Sequence, residues 1–176
     1  MSNGIAFTDK AAYGKALASL EYLEFIVKQG FDPLFKGGTC AQLFIPKQFQ
    51  RLSLDIDIAI SHPADLEEII AASEKAGYSC RRWRGFPDPN LPFVRYSISS
   101  QKAKEFYFDI ILKEPAFGTQ RTLLKTAYFH SELMVRTPTL PSLLGDKLTT
   151  LGPHTVGRQL NEDSGATEHL KQVYDI

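Results

Sequence analysis

The sequence predicts an α/β (α+β) fold in which helices flank a mixed β-sheet. Apolar residues recur at intervals of three and four between positions 9 and 30, which is the spacing of an amphipathic helix. Over residues 52–60 and 105–112 they alternate with polar residues, which is typical of half-buried strands. Because helical and strand patterns are mixed along the chain, and some neighbouring strands can form hairpins, we expect parallel and antiparallel pairs in one sheet.

Caps and breakers bound the first helix, for which Thr8 or Asp9 is a suitable N-cap and Gly30 a suitable end. The remaining helices are expected at residues 40–44, 65–75, 141–151 and 165–176. The strands are expected at residues 52–60, 78–84, 93–99, 105–112 and 134–136. A stretch with three prolines, residues 85–92, predicts a stiff, irregular loop between two of these strands.

Composition and charge exclude several classes of protein. The 176 residues carry 20 Lys and Arg against 20 Asp and Glu, so binding of nucleic acid through overall charge is excluded. With 43% apolar and 23% charged residues, the chain as a whole is not intrinsically disordered. Cys40 and Cys80 fit no metal-ligand or disulfide pattern. Since the sequence shows no basic leader and no long apolar stretch, we expect a cytoplasmic protein with no membrane span.

Asp55 and Asp57 are the most informative pair of residues. At positions i and i+2 of a predicted strand they lie about 6–7 Å apart on one face, where their carboxylates can share a divalent cation. Such oxygen ligands suit Mg²⁺ or Mn²⁺, which also bind substrate phosphates. The alternative is that the two aspartates merely form the solvent face of an amphipathic strand, although Asp is depleted in strands.

A glycine pair lies upstream of these aspartates. Gly37 and Gly38 leave room for backbone N–H groups to approach a phosphate, and Thr39 adds a hydroxyl donor. Lys36 adds a positive charge beside them. The block fits neither the P-loop pattern nor the dinucleotide-binding glycine pattern, and taken alone it is also consistent with a simple turn.

Two blocks of sequence together carry a resemblance that neither carries alone. They are Lys36-Gly37-Gly38-Thr39 and Arg51-x-Ser53-x-Asp55-x-Asp57. They resemble the motifs of nucleotidyltransferases with the DNA polymerase β-like fold and, more narrowly, those of the AbiEii/AbiGii toxin family of abortive-infection and toxin–antitoxin systems. Every position of the family's K-G-G-T and R-x-S-x-D-x-D pattern is matched.

The resemblance extends downstream. The segment 144–148 is similar to the family helix that carries an essential lysine, here Lys147, which without the resemblance would be taken for a surface residue. The segment 171–175 resembles a late block with two aspartates, of which Asp175 is present and Gln172 replaces the other. The implied organisation is a nucleotidyltransferase core over residues 1–140 and a C-terminal helical segment over 141–176, one interpretation being that this segment is shortened relative to the family.

The resemblance implies an activity. An acceptor hydroxyl attacks the α-phosphorus of a nucleoside triphosphate (NTP), and pyrophosphate leaves. Asp55 and Asp57 are then metal ligands for Mg²⁺ or Mn²⁺. Asp109 is a candidate third carboxylate because it faces away from the apolar side of its strand. The alternative for Asp109 is an ordinary exposed polar residue of a strand. The implied catalytic set also includes Lys147 and Asp175, and the implied nucleotide-binding residues are Lys36, Gly37, Gly38, Thr39, Arg51 and Ser53.

Several hypotheses about substrate and partners remain open on the sequence. The first is a toxin that modifies RNA such as a tRNA end and is neutralised by an antitoxin protein. The others are a nucleotide-binding or interaction module of the same fold without turnover, and a transferase acting on a small molecule or a protein. Arg81, Arg82, Trp83 and Arg84 mix cations with an aromatic ring, which suits nucleic-acid contact, but cationic residues are also a common defence of an edge strand against pairing.

Overall fold

The computed structural model describes residues 9–84, 92–101, 104–116 and 118–149. The helices are α1 (Lys10–Lys28), α2 (Gly37–Ala41), α3 (Pro63–Lys75) and α4 (Leu140–Thr149), with a short 3₁₀ turn at Lys47–Phe49. The strands are β1 (Leu34–Lys36), β2 (Ile56–Ala59), β3 (Ser79–Arg82), β4 (Phe93–Ser99), β5 (Phe106–Ile111), β6 (Thr119–Lys125) and β7 (His130–Pro138).

Five strands form one mixed sheet in the order β1-β2-β5-β4-β3. Strand β2 pairs antiparallel with β1 and parallel with β5, and the antiparallel pairs β5–β4 and β4–β3 complete the sheet. The chain passes through α3 after β2 and returns to the sheet at its far edge, so β5 enters beside β2 in the parallel direction. The predicted mixed sheet with flanking helices is confirmed.

Helices α1 and α3 cover one face of this sheet. The ring of Tyr22 on α1 is fully buried and makes edge contacts with Phe106 and Phe108 on β5. Its hydroxyl lies 2.8 Å from Ser73 Oγ on α3, so the only polar atom of the ring has a partner in the core. The apolar residues of the alternating strands lie on this face, which leaves their polar residues on the other.

Helix ends follow the predicted chemistry. Asp9 caps α1 by accepting hydrogen bonds from the backbone N–H groups of Ala11 and Ala12, and Gly30 follows the helix with a φ of +93°. Helix α3 begins at Pro63, two residues before the predicted start, because proline suits the first helical position. Gly77 ends it with a φ of +89°.

The strand predicted over residues 52–60 is wrong in its first half. Only Ile56–Ala59 forms a strand, and Leu54, expected on the apolar face, is 36% exposed. The ladder ends here because β1, its antiparallel partner, stops at Lys36 and the chain turns into α2. Residues 51–55 bond to α2 instead of to a neighbouring strand.

A second, two-stranded sheet was only partly predicted. Strands β6 and β7 form an antiparallel pair, and the expected strand at 134–136 is the middle of the nine-residue β7. Strand β6 lacks the alternating pattern, since its first half is polar and exposed. Ser131 Oγ on β7 donates to Glu24 Oε1 on α1 at 2.7 Å, which ties this sheet to the rest of the domain.

Other expectations differ by a few residues or fall outside the described ranges. The short helix expected at 40–44 begins at Gly37, and α4 spans Leu140–Thr149 where 141–151 was expected. The tail helix at 165–176, with Asp175, and most of the loop at 85–92 lie outside the described residues. Both cysteines are free, and none of the helices that the structure describes is long and apolar enough to cross a membrane.

Candidate active site

The register of the large sheet aligns four charged residues in one row. Lys36 on β1 lies opposite Asp57 on β2, and Asp57 lies beside Asp109 on β5. Arg95 on β4 lies opposite Asp109 and completes the row. Because directly paired residues point to the same side of a sheet, all four side chains share the face opposite α1 and α3.

Strand β1 passes directly into helix α2 beside Asp57. Gly37 has a φ of +75°, and a Cβ at this position would lie 2.0 Å from Asp57 Oδ2. Only glycine adopts this backbone readily and also leaves room for the carboxylate. Asp57 therefore lies directly against the diglycine bend.

Helix α2 also fixes the segment that carries Asp55. The buried Thr39 hydroxyl lies 2.8 Å from Ser53 Oγ and donates a hydrogen bond to the backbone carbonyl of Asp55. The backbone N–H of Arg51 donates to Gln42 Oε1 at 2.9 Å. Since the Thr39 hydroxyl has these internal partners, its predicted contact with a phosphate stays a prediction.

A cavity of about 510 Å³ opens beside the two aspartates. Its volume lies within the range of small-molecule binding sites. Side chains of both charges line it, namely Lys15, Arg51 and Lys147 together with Asp55, Asp57 and Glu105. Gly38 and Ser53 line it as well. A mixed lining of this kind suits an anionic ligand that is accompanied by a cation.

Asp57 lines this cavity and is half-buried. Burial raises the pKa of Asp57 to about 7, and repulsion from Asp109 and Asp55 acts in the same direction. Attraction by Lys36 and Lys147 opposes the shift but does not cancel it. The negative charge of Asp57 is thus only partly compensated by its surroundings.

Lysine side chains approach the aspartates from two elements. Lys36 is buried, and its Nζ lies 3.0 Å from Asp146 Oδ2, which joins β1 to α4. The next residue, Lys147, is 5% exposed and lines the cavity, so it is not a surface lysine. The Lys36–Asp146 ion pair therefore positions the part of α4 that carries Lys147.

Asp109 is also buried and has a specific partner. Arg95 Nε and Nη2 donate to its two carboxylate oxygens at 2.6 Å each, in the bidentate geometry that suits guanidinium and carboxylate. With 6% exposure Asp109 is not an ordinary exposed strand residue. Its role as a metal ligand stays a prediction, and it requires a carboxylate oxygen that Arg95 does not fully occupy.

The chemistry of the donors fits a divalent cation next to Asp55 and Asp57. Both side chains are hard oxygen ligands that face one cavity, and the raised pKa of Asp57 marks a charge that a cation would compensate. Within the described ranges, no group of three or more His, Cys, Asp or Glu side chains is arranged to bind a metal ion alone. Substrate oxygens would therefore supply part of the coordination.

The structure brings most of the predicted site residues together and adds others. Asp55, Asp57, Ser53, Arg51, Gly38 and Lys147 line one cavity, with Lys36, Gly37, Thr39 and Asp109 directly behind it. The sequence analysis missed Lys15, Arg95, Tyr107 and Asp146. Arg95 and Tyr107 had a detectable signal, because each lies on the polar side of an alternating strand, whereas Lys15 and Asp146 become recognisable only through contacts distant in sequence.

A mixed sheet that carries paired carboxylates beside a glycine-started helix is the arrangement expected from the resemblance to nucleotidyltransferases. A family comparison agrees with this class. The profile of the family described as nucleotidyl transferase AbiEii toxin, type IV toxin–antitoxin (TA) system, matches residues 27–176, and the chain belongs to this family. A search of curated proteins found no match.

Proposed function

We propose that this protein transfers a nucleoside monophosphate from an NTP to an acceptor hydroxyl, in a reaction that depends on a divalent metal ion. The observation that carries the proposal is the juxtaposition of Asp55, Asp57 and Lys147 around one cavity. The acceptor oxygen forms a bond to the α-phosphorus, and the bond between the α-phosphorus and the bridging oxygen breaks. Pyrophosphate leaves with the electron pair, and the hydroxyl proton passes to solvent.

The cavity residues divide into two groups by charge. Lys147, Arg51 and Lys15 lie where they can neutralise the triphosphate, as preorganised cations do in phosphoryl transfer. The backbone of Gly38 also lines the cavity and presents no side chain that would keep a phosphate away. Together these groups hold the nucleotide so that its α-phosphorus lies near the aspartates.

Asp55 and Asp57 are the residues that would hold Mg²⁺ or Mn²⁺, with Asp109 as the third carboxylate. A metal ion there supplies activation of the attacking oxygen and stabilisation of the leaving one. Asp109 contributes negative charge next to Asp57 and becomes a direct ligand only if Arg95 releases one of its oxygens. The catalytic role of Asp175 remains part of the proposal, although this residue lies outside the described ranges.

The family suggests an antitoxin partner, and we propose RNA, such as a tRNA end, as the acceptor. A single experiment addresses both the reaction and the acceptor. The full chain is incubated with Mg²⁺, total cellular RNA and each NTP labelled in turn at the α- or γ-phosphate. The proposal predicts that α-label enters RNA whereas γ-label is released as pyrophosphate.

Other outcomes would identify other functions. Label on the protein fraction or on a small molecule would replace RNA as the acceptor class. Absence of any transfer, with an NTP still raising the thermal midpoint, would indicate a nucleotide-binding module without turnover. Glu67→Gln, an exposed charge change on α3, is the matched control for later Asp-to-Asn variants because it lies away from the cavity.

A further inference from the structure

Three side chains form an aromatic and cationic strip on the sheet face that carries the aspartates. The strip consists of Tyr107, Arg95 and Trp83, in that order from the cavity outward. The Arg95 guanidinium carbon lies 4.9 Å from the centroid of the Tyr107 ring and 5.7 Å from that of Trp83. Both rings remain accessible, at 42% for Tyr107 and 44% for Trp83.

The strip is continuous with the proposed active site. Tyr107 itself lines the cavity that contains Asp55 and Asp57. At the other end, the Trp83 backbone N–H donates to the Arg95 carbonyl at 2.8 Å, so Trp83 extends the row that runs from Lys36 through Asp57 and Asp109 to Arg95. Three interstrand spacings separate Asp57 from Trp83, which is about 14 Å. A few nucleotides of an extended single strand span this length.

The guanidinium at the centre of the strip is held in place. Arg95 bonds to both oxygens of Asp109, and its side chain is 22% exposed. It therefore cannot move to pair with a phosphate without breaking a partly buried bidentate contact. The exposed parts of the two rings are therefore what the strip offers to a ligand, and Arg95 holds them in place.

Charge around the outer end of the strip favours a polyanion. Arg81 points to the same face as Trp83; its side chain is 75% exposed and its Nη2 lies 3.6 Å from Glu105 Oε1. Arg82 and Arg84 are exposed beside it. Exposed aromatic faces next to arginines are the usual elements of single-strand nucleic-acid binding, since bases stack on the rings and cations meet the backbone. Tyr, Trp and Arg are also common at protein interfaces, so the exposed arginines, rather than the rings, favour a polyanion.

We propose that the Tyr107–Arg95–Trp83 strip binds the unpaired nucleotides that precede the acceptor hydroxyl and guides that hydroxyl to the cavity. This inference rests on the proposed function, because it places the acceptor rather than the donor nucleotide. The strip accepts bases by stacking, with little preference for sequence. It discriminates against a blunt duplex, whose bases are not available to the rings.

The chain supplies its own probe, since Trp83 is its single tryptophan. Fluorescence of the full-length protein, excited selectively at tryptophan, is titrated with a short single-stranded oligoribonucleotide, a blunt duplex of the same sequence, and an NTP. We expect saturable quenching by the single strand alone. Tyr107→Ala should weaken this binding by about 10-fold or more, whereas Tyr107→Phe should retain it.

Matched variants separate stacking from general effects. Trp83→Ala should lose binding of a labelled single strand to a similar extent, measured by anisotropy, and Trp83→Phe should lose less. Phe49→Ala removes an exposed aromatic ring that does not line the cavity and should leave the affinity unchanged. Thermal midpoints of all variants show whether each remains folded.

The outcomes of this test and of the transfer assay are distinguishable. No quenching by the single strand, in a protein that still transfers label to RNA, would overturn the inference and leave the proposed function intact. If the NTP quenched the fluorescence as strongly as the single strand, the strip would bind the base of the donor nucleotide. If the duplex did so, binding would not depend on stacking of unpaired bases. Either result overturns the inference. Single-strand quenching that Tyr107→Ala abolishes, in a protein that transfers no label, would support the binding strip and reject the transferase.

Discussion

At the residue scale, Gly37 leaves the space that the Asp57 carboxylate occupies. A methyl group at position 37 would overlap the Asp57 carboxylate, in a backbone conformation that alanine adopts only with strain. We predict that Gly37→Ala lowers nucleotidyl transfer by at least about 10²-fold, because displacement of a reacting group by an ångström has effects of this size. Label transfer at saturating NTP measures it.

Gly77→Ala is the matched control for this variant. Gly77 also has a positive φ, of +89°, but a Cβ there meets nothing within 4 Å. Its substitution should reduce the free energy of unfolding by about 1–2 kcal/mol and leave transfer unchanged. If both variants lost only stability and kept full activity, the contact with Asp57 would have no functional role.

Asp57 also predicts how stability depends on pH. Its pKa is about 7 in the folded protein against an ordinary 3.8, so between these values the folded chain holds a proton that the unfolded chain has released. Stability should therefore fall as pH rises from about 4 to 7, by at most about 4 kcal/mol, and stay reduced above that. Asp57→Asn should be more stable than the wild type at pH 8 and similar to it at pH 4.

Urea unfolding in the presence of a chelator measures this difference across the pH range. Glu67→Gln, an exposed substitution on α3 away from the cavity, is the control for a general effect of removing one carboxylate. Addition of Mg²⁺ at pH 8 should stabilise the wild type more than Asp57→Asn, since a cation compensates the carboxylate charge. A difference between Asp57→Asn and wild type that did not vary with pH would contradict the electrostatic account of the site.

At the scale of elements, one hydrogen bond joins α1 and α3 beneath the sheet. Tyr22→Phe removes the hydroxyl that lies 2.8 Å from Ser73 Oγ, and Ser73 retains its bond to the Ile69 carbonyl. We predict a loss of about 1 kcal/mol in the free energy of unfolding, with little change in transfer. A double-mutant cycle with Ser73→Ala should give a coupling of about 0.5–1.5 kcal/mol; zero coupling would show that the two hydroxyls stabilise the packing independently.

The contact between β1 and α4 positions the helix that carries Lys147. Asp146→Asn leaves the buried Lys36 ammonium with a neutral partner, so we predict a loss of about 1–3 kcal/mol in the free energy of unfolding. We also predict a higher KM for the NTP, because Lys147 is the next residue on the same helix. Glu132→Gln, which removes the partner of His130 in a largely exposed pair, should change neither quantity. An unchanged KM in Asp146→Asn would show that the Lys36–Asp146 ion pair does not affect binding of the NTP.

Elements with strong periodicity were predictable, and those formed by distant contacts were not. Helices α1 and α3 have caps and apolar spacing that act locally, and strands β4 and β5 alternate over most of their length. The alternation over residues 52–60 continues past the end of β2, because hydrogen bonds from α2 to residues 51–55 override it. Strand β6 carries no periodic signal, and its pairing with β7 stabilises it instead.

At the scale of the whole molecule, the sequence motifs located the site but not its cross-strand arrangement. The spacing of Asp55 and Asp57 and the diglycine block identified two parts of it, and the resemblance added Lys147. The row from Lys36 through Asp57 and Asp109 to Arg95 depends on the strand order, in which β5 lies beside β2. No local pattern encodes this order, so the pairing of Arg95 with Asp109 required the structure.

The most direct test of the central claim compares Asp57→Asn with the wild type in label transfer from an α-labelled NTP, at pH 8 with Mg²⁺. Both proteins are assayed at equal concentrations of folded chain, as determined by unfolding. The account predicts that the variant remains folded and binds NTP but transfers label at least about 10²-fold more slowly. A folded Asp57→Asn variant with wild-type transfer would show that the Asp57 carboxylate is not part of the reaction.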